Sequence, residues 1–99
     1  MIITKTHNES LLTLTLEGRL DTTTAPELEA EFQSSLGDVT ELILDFSKLV
    51  YLSSAGLRVI LGAQKRMNTQ GKMVVRHVND TIMEVFEITG FVDILTIEG

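Results

Sequence analysis

Cysteine is absent from this 99-residue sequence. Its absence excludes disulfide bonds and thiolate metal sites, and it fits a reducing compartment. A chain of this length buries about two thirds of the surface that its unfolded form exposes, so it needs no such cross-links. We therefore expect one domain over residues 1–99 with an ordinary hydrophobic core.

Long apolar runs are missing as well. No stretch has the roughly 18 consecutive apolar residues that a helix needs to span a bilayer. The N-terminal segment MIITKTHNES lacks the apolar core of a signal peptide. These two features predict a cytoplasmic protein.

Basic residues are few and scattered. Eight Lys and Arg stand against fourteen Asp and Glu, which gives a formal net charge of −6. Only Lys65 and Arg66 are adjacent in sequence. Because nucleic acids and anionic membranes attract clustered positive charge, we expect neither of them as a partner.

Common enzyme motifs are also lacking. The sequence has no phosphate-binding loop, dinucleotide-binding, nucleophile-elbow or zinc-protease motif. His7 and His77 lie in different predicted elements and lack the spacing of metal ligands. We expect no catalytic residue, no metal and no cofactor. A weak nucleotide-binding or enzymatic site at the strand ends is an alternative that calorimetry with nucleotides tests.

What the sequence does contain is an alternation of two hydrophobic periods. Alternating or continuous apolar residues predict strands at 2–6, 10–18, 40–46 and 72–78, and a last edge strand within 92–98. Helical spacing predicts three helices, which begin near Thr24, Ser54 and Asp80.

The order of these elements predicts an α/β fold. Strand–helix–strand units need right-handed crossovers and parallel strands, whereas a turn at HNES (7–10) joins the first two strands as an antiparallel hairpin. The expected architecture is a mixed four- to five-stranded sheet with helices packed on one face. The nearly continuous apolar segment 40–46 is expected to be a central buried strand.

The helices carry two further local signals. Thr24 followed by Glu27 has the spacing of a capping box at the start of the first helix. In the second helix the spacing predicts one inward-facing stripe, formed by Leu57, Ile60, Leu61 and Met67.

Two aspartates, Asp21 and Asp45, end predicted strands. Each residue alone is typical of a turn or a helix cap. Neighbouring strand ends in an open α/β sheet share one rim, however, and ligands and partners often bind there. We therefore expect both carboxylates beside the turn that contains Ser53 and Ser54.

Ser53 and Ser54 stand where the central strand leads into the second helix. A serine at a helix N-cap accepts a hydrogen bond from a free backbone N–H, and capping alone explains one of the two. Modification is the alternative, because small Ala55 and Gly56 allow close approach. A phosphate here would also meet free N–H groups and the positive end of the helix dipole.

Four segments of the sequence resemble the STAS domains of bacterial anti-sigma factor antagonists. They are GRLDTTTAPEL, LILDFSKLVYLSSAGLRVILGAQKRM, GKMVV and VFEITGFVDILTI, and together they extend over nearly the whole chain. YLSSAGLRVIL is the most specific part.

The resemblance implies a partner-switching function. Unphosphorylated antagonists bind a serine kinase that is also the anti-sigma factor, and this frees the sigma factor. Phosphorylation of a serine at the start of the second helix releases the kinase, and a metal-dependent serine phosphatase restores the first state. A non-switching STAS scaffold subunit of a signalling or lipid-transport complex is the other function that the resemblance allows.

The chain departs from the family at the phosphate acceptor. Well-known members have Asp-Ser-Ser-Gly-Leu, with the second serine phosphorylated. Aligning the Gly-Leu pair places Ser53 on the aspartate, Ser54 on the first serine and Ala55 on the acceptor. We predict that Ser54 accepts the phosphate, with Ser53 as the alternative. Partner contacts are predicted at Asp21, Arg19, Ser53, Ala55, Gly56 and Arg58.

Overall fold

The computed structural model describes residues 1–98. Its helices and strands are β1 Ile2–Asn8, β2 Leu11–Leu20, α1 Ala25–Ser35, β3 Glu41–Leu52, α2 Ser54–Gln70, β4 Lys72–Arg76, α3 Asp80–Thr89 and β5 Ile97–Glu98. A short 3-10 helix, Phe91–Asp93, occupies part of the segment predicted as the last strand. The predicted α/β fold and the positions of the three helix starts are confirmed.

All five strands form one sheet in the order β1-β2-β3-β4-β5. β1 pairs antiparallel with β2 through a two-residue turn, and the other neighbouring pairs are parallel. The sheet is therefore mixed, with β3 at its centre, as the sequence predicts.

The core lies between the sheet and the helices. Leu12, Leu14 and Leu16 alternate along β2 with their side chains fully buried, and Leu42 and Leu44 do the same in β3. The intervening positions face the other side of the sheet, because successive side chains in a strand point to opposite faces. The helices bury the apolar face, and this arrangement holds the ends of β2 and β3 at the base of α1 and α2.

β3 extends six residues beyond the end of the predicted strand, and it contains two irregularities. The β2–β3 register shifts between Thr15 and Glu17 and again between Gly18 and Arg19. As a result Phe46, Leu49 and Leu52 are buried at every third position. A β-bulge adds a residue to one strand of a pair and breaks the two-residue period. Segment 47–52 therefore lacks the alternation on which the sequence-based prediction depends.

The inward stripe of α2 differs from prediction at one position. Leu57, Ile60 and Met67 are buried, whereas Leu61 is half-buried and the polar Gln64 is buried instead. The amide of Gln64 donates from Nε2 to Asn68 Oδ1 at 2.8 Å, and this bond satisfies part of its polarity. Within residues 1–98, no helix is both long and apolar enough to cross a membrane.

Candidate functional site

β2 and β3 end side by side, and their ends create a rim at the base of two helices. Leu20 is the register partner of Leu52, and the Ser53 amide donates to the Leu20 carbonyl at 2.9 Å. α1 begins five residues after Leu20, and α2 begins two residues after Leu52. The loop 21–24 and the turn 53–54 are thereby brought together, as predicted. We call this surface, residues 19–24 and 50–55, the rim.

Asp45 does not belong to the rim. The prediction placed it at a strand end, but β3 continues for seven residues beyond it. It lies within the strand, with Thr15 and Arg76 as register partners. Its carboxylate accepts a hydrogen bond from the Ser47 amide at 2.9 Å, at the first irregularity of β3. The prediction that Asp45 lies on the same rim as Asp21, beside the Ser53–Ser54 turn, is therefore wrong.

The two serines have different structural roles. Ser53 is the N-cap of α2, with extended φ and ψ of −98° and 173°, and its Oγ accepts from the Gly56 amide at 3.4 Å. Ser54 is the first helical residue, and it is exposed where Ser53 is half-buried. The Ser54 hydroxyl makes no hydrogen bond to any residue between 1 and 98. Capping thus involves Ser53, and the Ser54 hydroxyl is left free.

Backbone donors at the start of α2 are available to an anion. The Leu57 amide donates to the Ser53 carbonyl, and the Gly56 amide donates to the Ser53 side chain. The amides of Ser54 and Ala55 have no acceptor in the described part of the chain. Free N–H groups together with the helix dipole favour negative charge at this end.

Arg19 and Tyr51 form a stacked pair across β2 and β3. They are register partners, and the guanidinium carbon of Arg19 lies 4.0 Å from the centre of the Tyr51 ring. Arg19 Nε is also 3.6 Å from Asp21 Oδ2. Tyr51 is 40% exposed and Val50 is 64% exposed, so the end of β3 that leads into Ser53 and Ser54 carries exposed apolar surface. At this distance the guanidinium is within the range of a cation–π interaction with the ring.

Asp21 organises the loop that precedes α1. Its Oδ1 accepts from the Thr23 hydroxyl at 2.8 Å, from the Thr23 amide at 3.0 Å and from the Thr24 amide at 3.2 Å. The hydrogen bond from the Thr23 side chain is the main cause that lowers the pKa of Asp21 below its ordinary value, and the Thr23 and Thr24 amides act in the same direction. The carboxylate is therefore held in its charged form at the edge of the rim.

The capping box predicted at Thr24 is absent, and Asp21 explains why. Thr24 has helical φ and ψ of −101° and −19°, and its side chain caps no helix amide. Its hydroxyl instead donates to the Arg19 carbonyl at 2.8 Å and accepts from the Asp21 amide at 2.9 Å. The Thr24 side chain thus closes the loop back onto β2.

Gly56 is buried, unlike the other residues expected to contact a partner. A Cβ at this position would lie 2.7 Å from Leu20 Cγ and 2.8 Å from Leu52 Cδ1. The glycine is therefore required by the packing of α2 onto the ends of β2 and β3, and its position is not on the surface of the rim. Ala55 beside it is half-buried.

Arg58 lies one turn further along α2. Its side chain is exposed and lines a groove between α1 and α2 instead of the surface that Arg19, Asp21 and Tyr51 share. Among residues 1–98 there is no group of three or more His, Asp or Glu side chains placed to hold a metal ion.

The family model for the STAS domain matches residues 2–99. The chain belongs to the STAS domain family. A protein of Bordetella bronchiseptica named as an anti-sigma factor antagonist, BtrV, is 34% identical over 99 residues, which cover 98% of this chain and 85% of that protein. The anti-sigma-B factor antagonist of Staphylococcus aureus is 34% identical over 80 residues, which cover 79% of this chain and 74% of that protein.

Solved structures share the fold of this STAS chain. An anti-sigma factor antagonist from Mycobacterium paratuberculosis aligns with a TM-score of 0.87 at 18% identity, covering 97% of this chain and 83% of that one. The Bacillus protein SpoIIAA in its phosphorylated form aligns with a TM-score of 0.77 at 20% identity, covering 99% and 92%. The similarity at these identities is one of fold.

Sequence reasoning missed two features of this STAS rim. The Arg19–Tyr51 stack depends on a register that the second irregularity of β3 sets, and no sequence period indicates it. The exposure of Val50 has the same origin. The only sequence signal for an exposed apolar surface here was the VYL segment (50–52), whose apolar residues directly precede a polar turn.

Proposed function

We propose that this STAS chain is an anti-sigma factor antagonist that works by partner switching. In its unphosphorylated form it binds an anti-sigma factor that is also a serine kinase. The kinase supplies ATP, Mg²⁺ and the catalytic base, and the chain supplies a hydroxyl on a rigid turn. The chain is then a substrate and not an enzyme, and it acts in the cytoplasm. A metal-dependent serine phosphatase returns it to the binding form.

The observation that carries this proposal is the free hydroxyl of Ser54. It is exposed at the first residue of α2, where two backbone amides have no acceptor, and the exposed residues Val50 and Tyr51 precede it by four and three positions at the end of β3. We propose Ser54 as the phosphate acceptor. Ser53 is the weaker candidate because its Oγ already caps the helix.

The proposed mechanism needs no change of fold. Phosphorylation adds a charge of about −1.5 to −2, which the start of α2 accommodates in the free domain. In a complex with the kinase, the same charge must be desolvated within a close interface. A cost of about 4 kcal/mol weakens binding roughly a thousandfold, which is enough for release.

Phosphate transfer to Ser54 is tested by intact-mass measurement. The purified chain is incubated with Mg-ATP and candidate kinases of the histidine-kinase-like ATPase type from its host. We expect one added phosphate in the wild type and in Ser53→Ala, and none in Ser54→Ala. Phosphate that persists in Ser54→Ala but is lost in Ser53→Ala would assign the acceptor to the other serine.

Binding provides a second test. Titration calorimetry is expected to show tight binding of the unphosphorylated chain to the kinase and weakening of at least about a hundredfold by Ser54→Asp. Equal affinities would contradict switching at this residue. The remaining candidate function is then a non-switching scaffold, which the alignment of Ala55 with the family's acceptor favours.

A further inference from the structure

A groove of about 180 Å³ runs between α1 and α2, next to the rim. Its floor is apolar, since Phe32, Leu36 and Ala63 are buried and Val59 is half-buried. Two arginines, Arg58 and Arg66, also line it. The groove therefore combines an apolar floor with positive charge.

Gly62 leaves a gap in the wall of the groove. It lies in the interior of α2, where glycine is less favourable than any residue except proline. Packing explains the buried Gly56, but a Cβ on Gly62 would meet no atom within 4 Å. Residues 58, 62 and 66 are spaced four apart, so they lie in line along one face of the helix. The glycine thus separates two cations and leaves open space between them.

The positive charge of the groove lacks internal compensation. Lys5, Arg19, Lys48, Lys72 and Arg76 each form an ion pair with a carboxylate within 4.0 Å. Within residues 1–98, the three basic residues without such a pair are Arg58, Lys65 and Arg66, all on α2. Glu29 also lines the groove, but its carboxylate forms no ion pair within 4.0 Å with either arginine. In a chain of net charge −6, this is an isolated positive surface.

We propose that the groove binds an acidic amphipathic helix of the partner protein. An apolar side chain of that helix would fill the space over Gly62, and carboxylates on either side would pair with Arg58 and Arg66. The two arginines are eight residues apart, or about 12 Å along the helix axis. Two acidic residues seven positions apart lie on one face of a partner helix, about 10.5 Å apart along its axis, which is close to that separation. The identity of the partner rests on the proposed function, whereas the chemistry of the groove does not.

Phosphorylation of Ser54 would act directly on this groove. Ser54 is four residues before Arg58, and an acidic group at that position in a helix pairs favourably with the later cation. A phosphate forms strong, charge-assisted hydrogen bonds with a guanidinium. The phosphate would therefore compete with the partner's carboxylate for Arg58. Only the pair between Arg66 and the second carboxylate would then hold the partner helix. This provides release by competition for one arginine, in addition to the cost of burying the phosphate.

The groove is tested by NMR titration of the isotope-labelled chain with a synthetic peptide. The peptide has about 18 residues, which suffices for a helix, and carries two Glu about seven positions apart on either side of a Leu. A counterpart has both Glu replaced by Lys. We expect the acidic peptide to shift the amide signals of Arg58, Gly62 and Arg66, and the basic peptide to leave them unchanged.

Variants of α2 give the test its specificity. A Cβ at position 62 meets no atom within 4 Å, so Gly62→Leu places a side chain in the gap and is expected to weaken peptide binding at least about tenfold, with Gly62→Ala weakening it less. Arg58→Gln and Ser54→Glu are each expected to weaken peptide binding, by factors similar to one another. Lys65→Gln removes the same charge outside the groove and is expected to change the affinity less than about twofold.

Three results would overturn the proposal. They are equal binding of the acidic and basic peptides, wild-type affinity in Gly62→Leu, and no shift in the groove at millimolar peptide. An affinity that Ser54→Glu leaves unchanged would remove the coupling to phosphorylation. Kinase binding that is lost in Ser54→Asp but kept in Gly62→Leu would leave partner switching intact and reject the groove alone.

Discussion

At the scale of single residues, Asp21 has the densest set of hydrogen bonds on the rim. Three donors from Thr23 and Thr24 converge on Oδ1, while Oδ2 faces Arg19. These donors favour the ionised carboxylate, which is why the pKa of Asp21 is lowered, with the Thr23 hydroxyl as the largest cause. The residue therefore fixes both the shape of the loop and the sign of its charge.

Removal of the Thr23 hydroxyl is expected to raise the pKa of Asp21. The ionised side chain stabilises the fold at pH values above the pKa of the unfolded chain, and this contribution is lost as the pH falls through the lower pKa of the folded state. NMR titration of the Asp21 carboxyl carbon compares wild type with Thr23→Val, and Thr22→Val serves as the exposed control. An unchanged pKa in Thr23→Val would contradict the assignment of the main cause.

Two glycines of α2 are expected to respond to alanine in opposite directions. Gly56→Ala brings a methyl group against Leu20 and Leu52, and overpacking of this kind costs about 1–3 kcal/mol. Gly62→Ala meets no atom within 4 Å and is expected to stabilise the chain by about 0.5–1 kcal/mol through helix propensity. Urea unfolding measures both, and a destabilised Gly62→Ala would show that this glycine has a structural role.

At the scale of elements, the start of α2 separates capping from modification. Ser53→Ala removes the side-chain acceptor of the Gly56 amide, whose 3.4 Å length places the expected loss near the lower end of the usual range, at about 0.5–1 kcal/mol. Ser54→Ala removes no hydrogen bond and is expected to change stability by less than about 0.5 kcal/mol. Thermal unfolding of the two variants side by side checks the assignment, which a larger loss in Ser54→Ala would reverse.

β3 shows how far the sequence determines an element. Segment 40–46 was predictable because a nearly continuous apolar run indicates a strand buried on both faces. Segment 47–52 was not, because Phe46, Leu49 and Leu52 repeat with a period of three that belongs to neither a regular strand nor a helix. The same irregularities decide which residues reach the rim. The strand ends that carry Asp21 and the two serines could therefore be predicted, whereas the Arg19–Tyr51 stack could not.

Caps are predictable only in part, for a related reason. A capping box requires the threonine side chain to be free, and that of Thr24 is engaged by β2 and Asp21. Ser53 caps its helix through Oγ, and Asn79 caps its helix through Oδ1 while its Nδ2 donates to the Leu49 carbonyl, which leaves the capping oxygen free. Residue spacing identifies candidates for a cap, and the loop in front of the helix decides among them.

At the scale of the whole molecule, stability depends on the centre of the sheet. Leu44 is fully buried in β3 between β2 and β4, whereas Ile97 is half-buried at the edge strand β5. Leu44→Ala is expected to cost about 2–5 kcal/mol, against a total stability of about 5–15 kcal/mol. Ile97→Ala is expected to cost clearly less. Denaturant unfolding that gave similar losses for both would contradict this distribution of stability.

Charge is unevenly distributed across the molecule. Its basic side chains are mostly paired, and those without an ion pair in the part described by the structure all lie on α2. From the sequence alone, only the adjacency of Lys65 and Arg66 was evident. The ion pairs between strands that neutralise other basic residues depend on strand register, which the sequence does not show. A global charge of −6 therefore says little about the surface that a partner meets.

The Arg19–Tyr51 stack also gives the protein a built-in optical reporter. The chain has one tyrosine and no tryptophan, so its near-ultraviolet fluorescence arises from a ring on the rim itself. The Arg19 guanidinium lies over one face of that ring, and the ring is 40% exposed, so a bound partner can also contact it. Docking of a tryptophan-free ligand, or a change in the position of Arg19, would alter the emission without any label. The surface proposed to recognise the kinase can thus be observed in the unmodified protein.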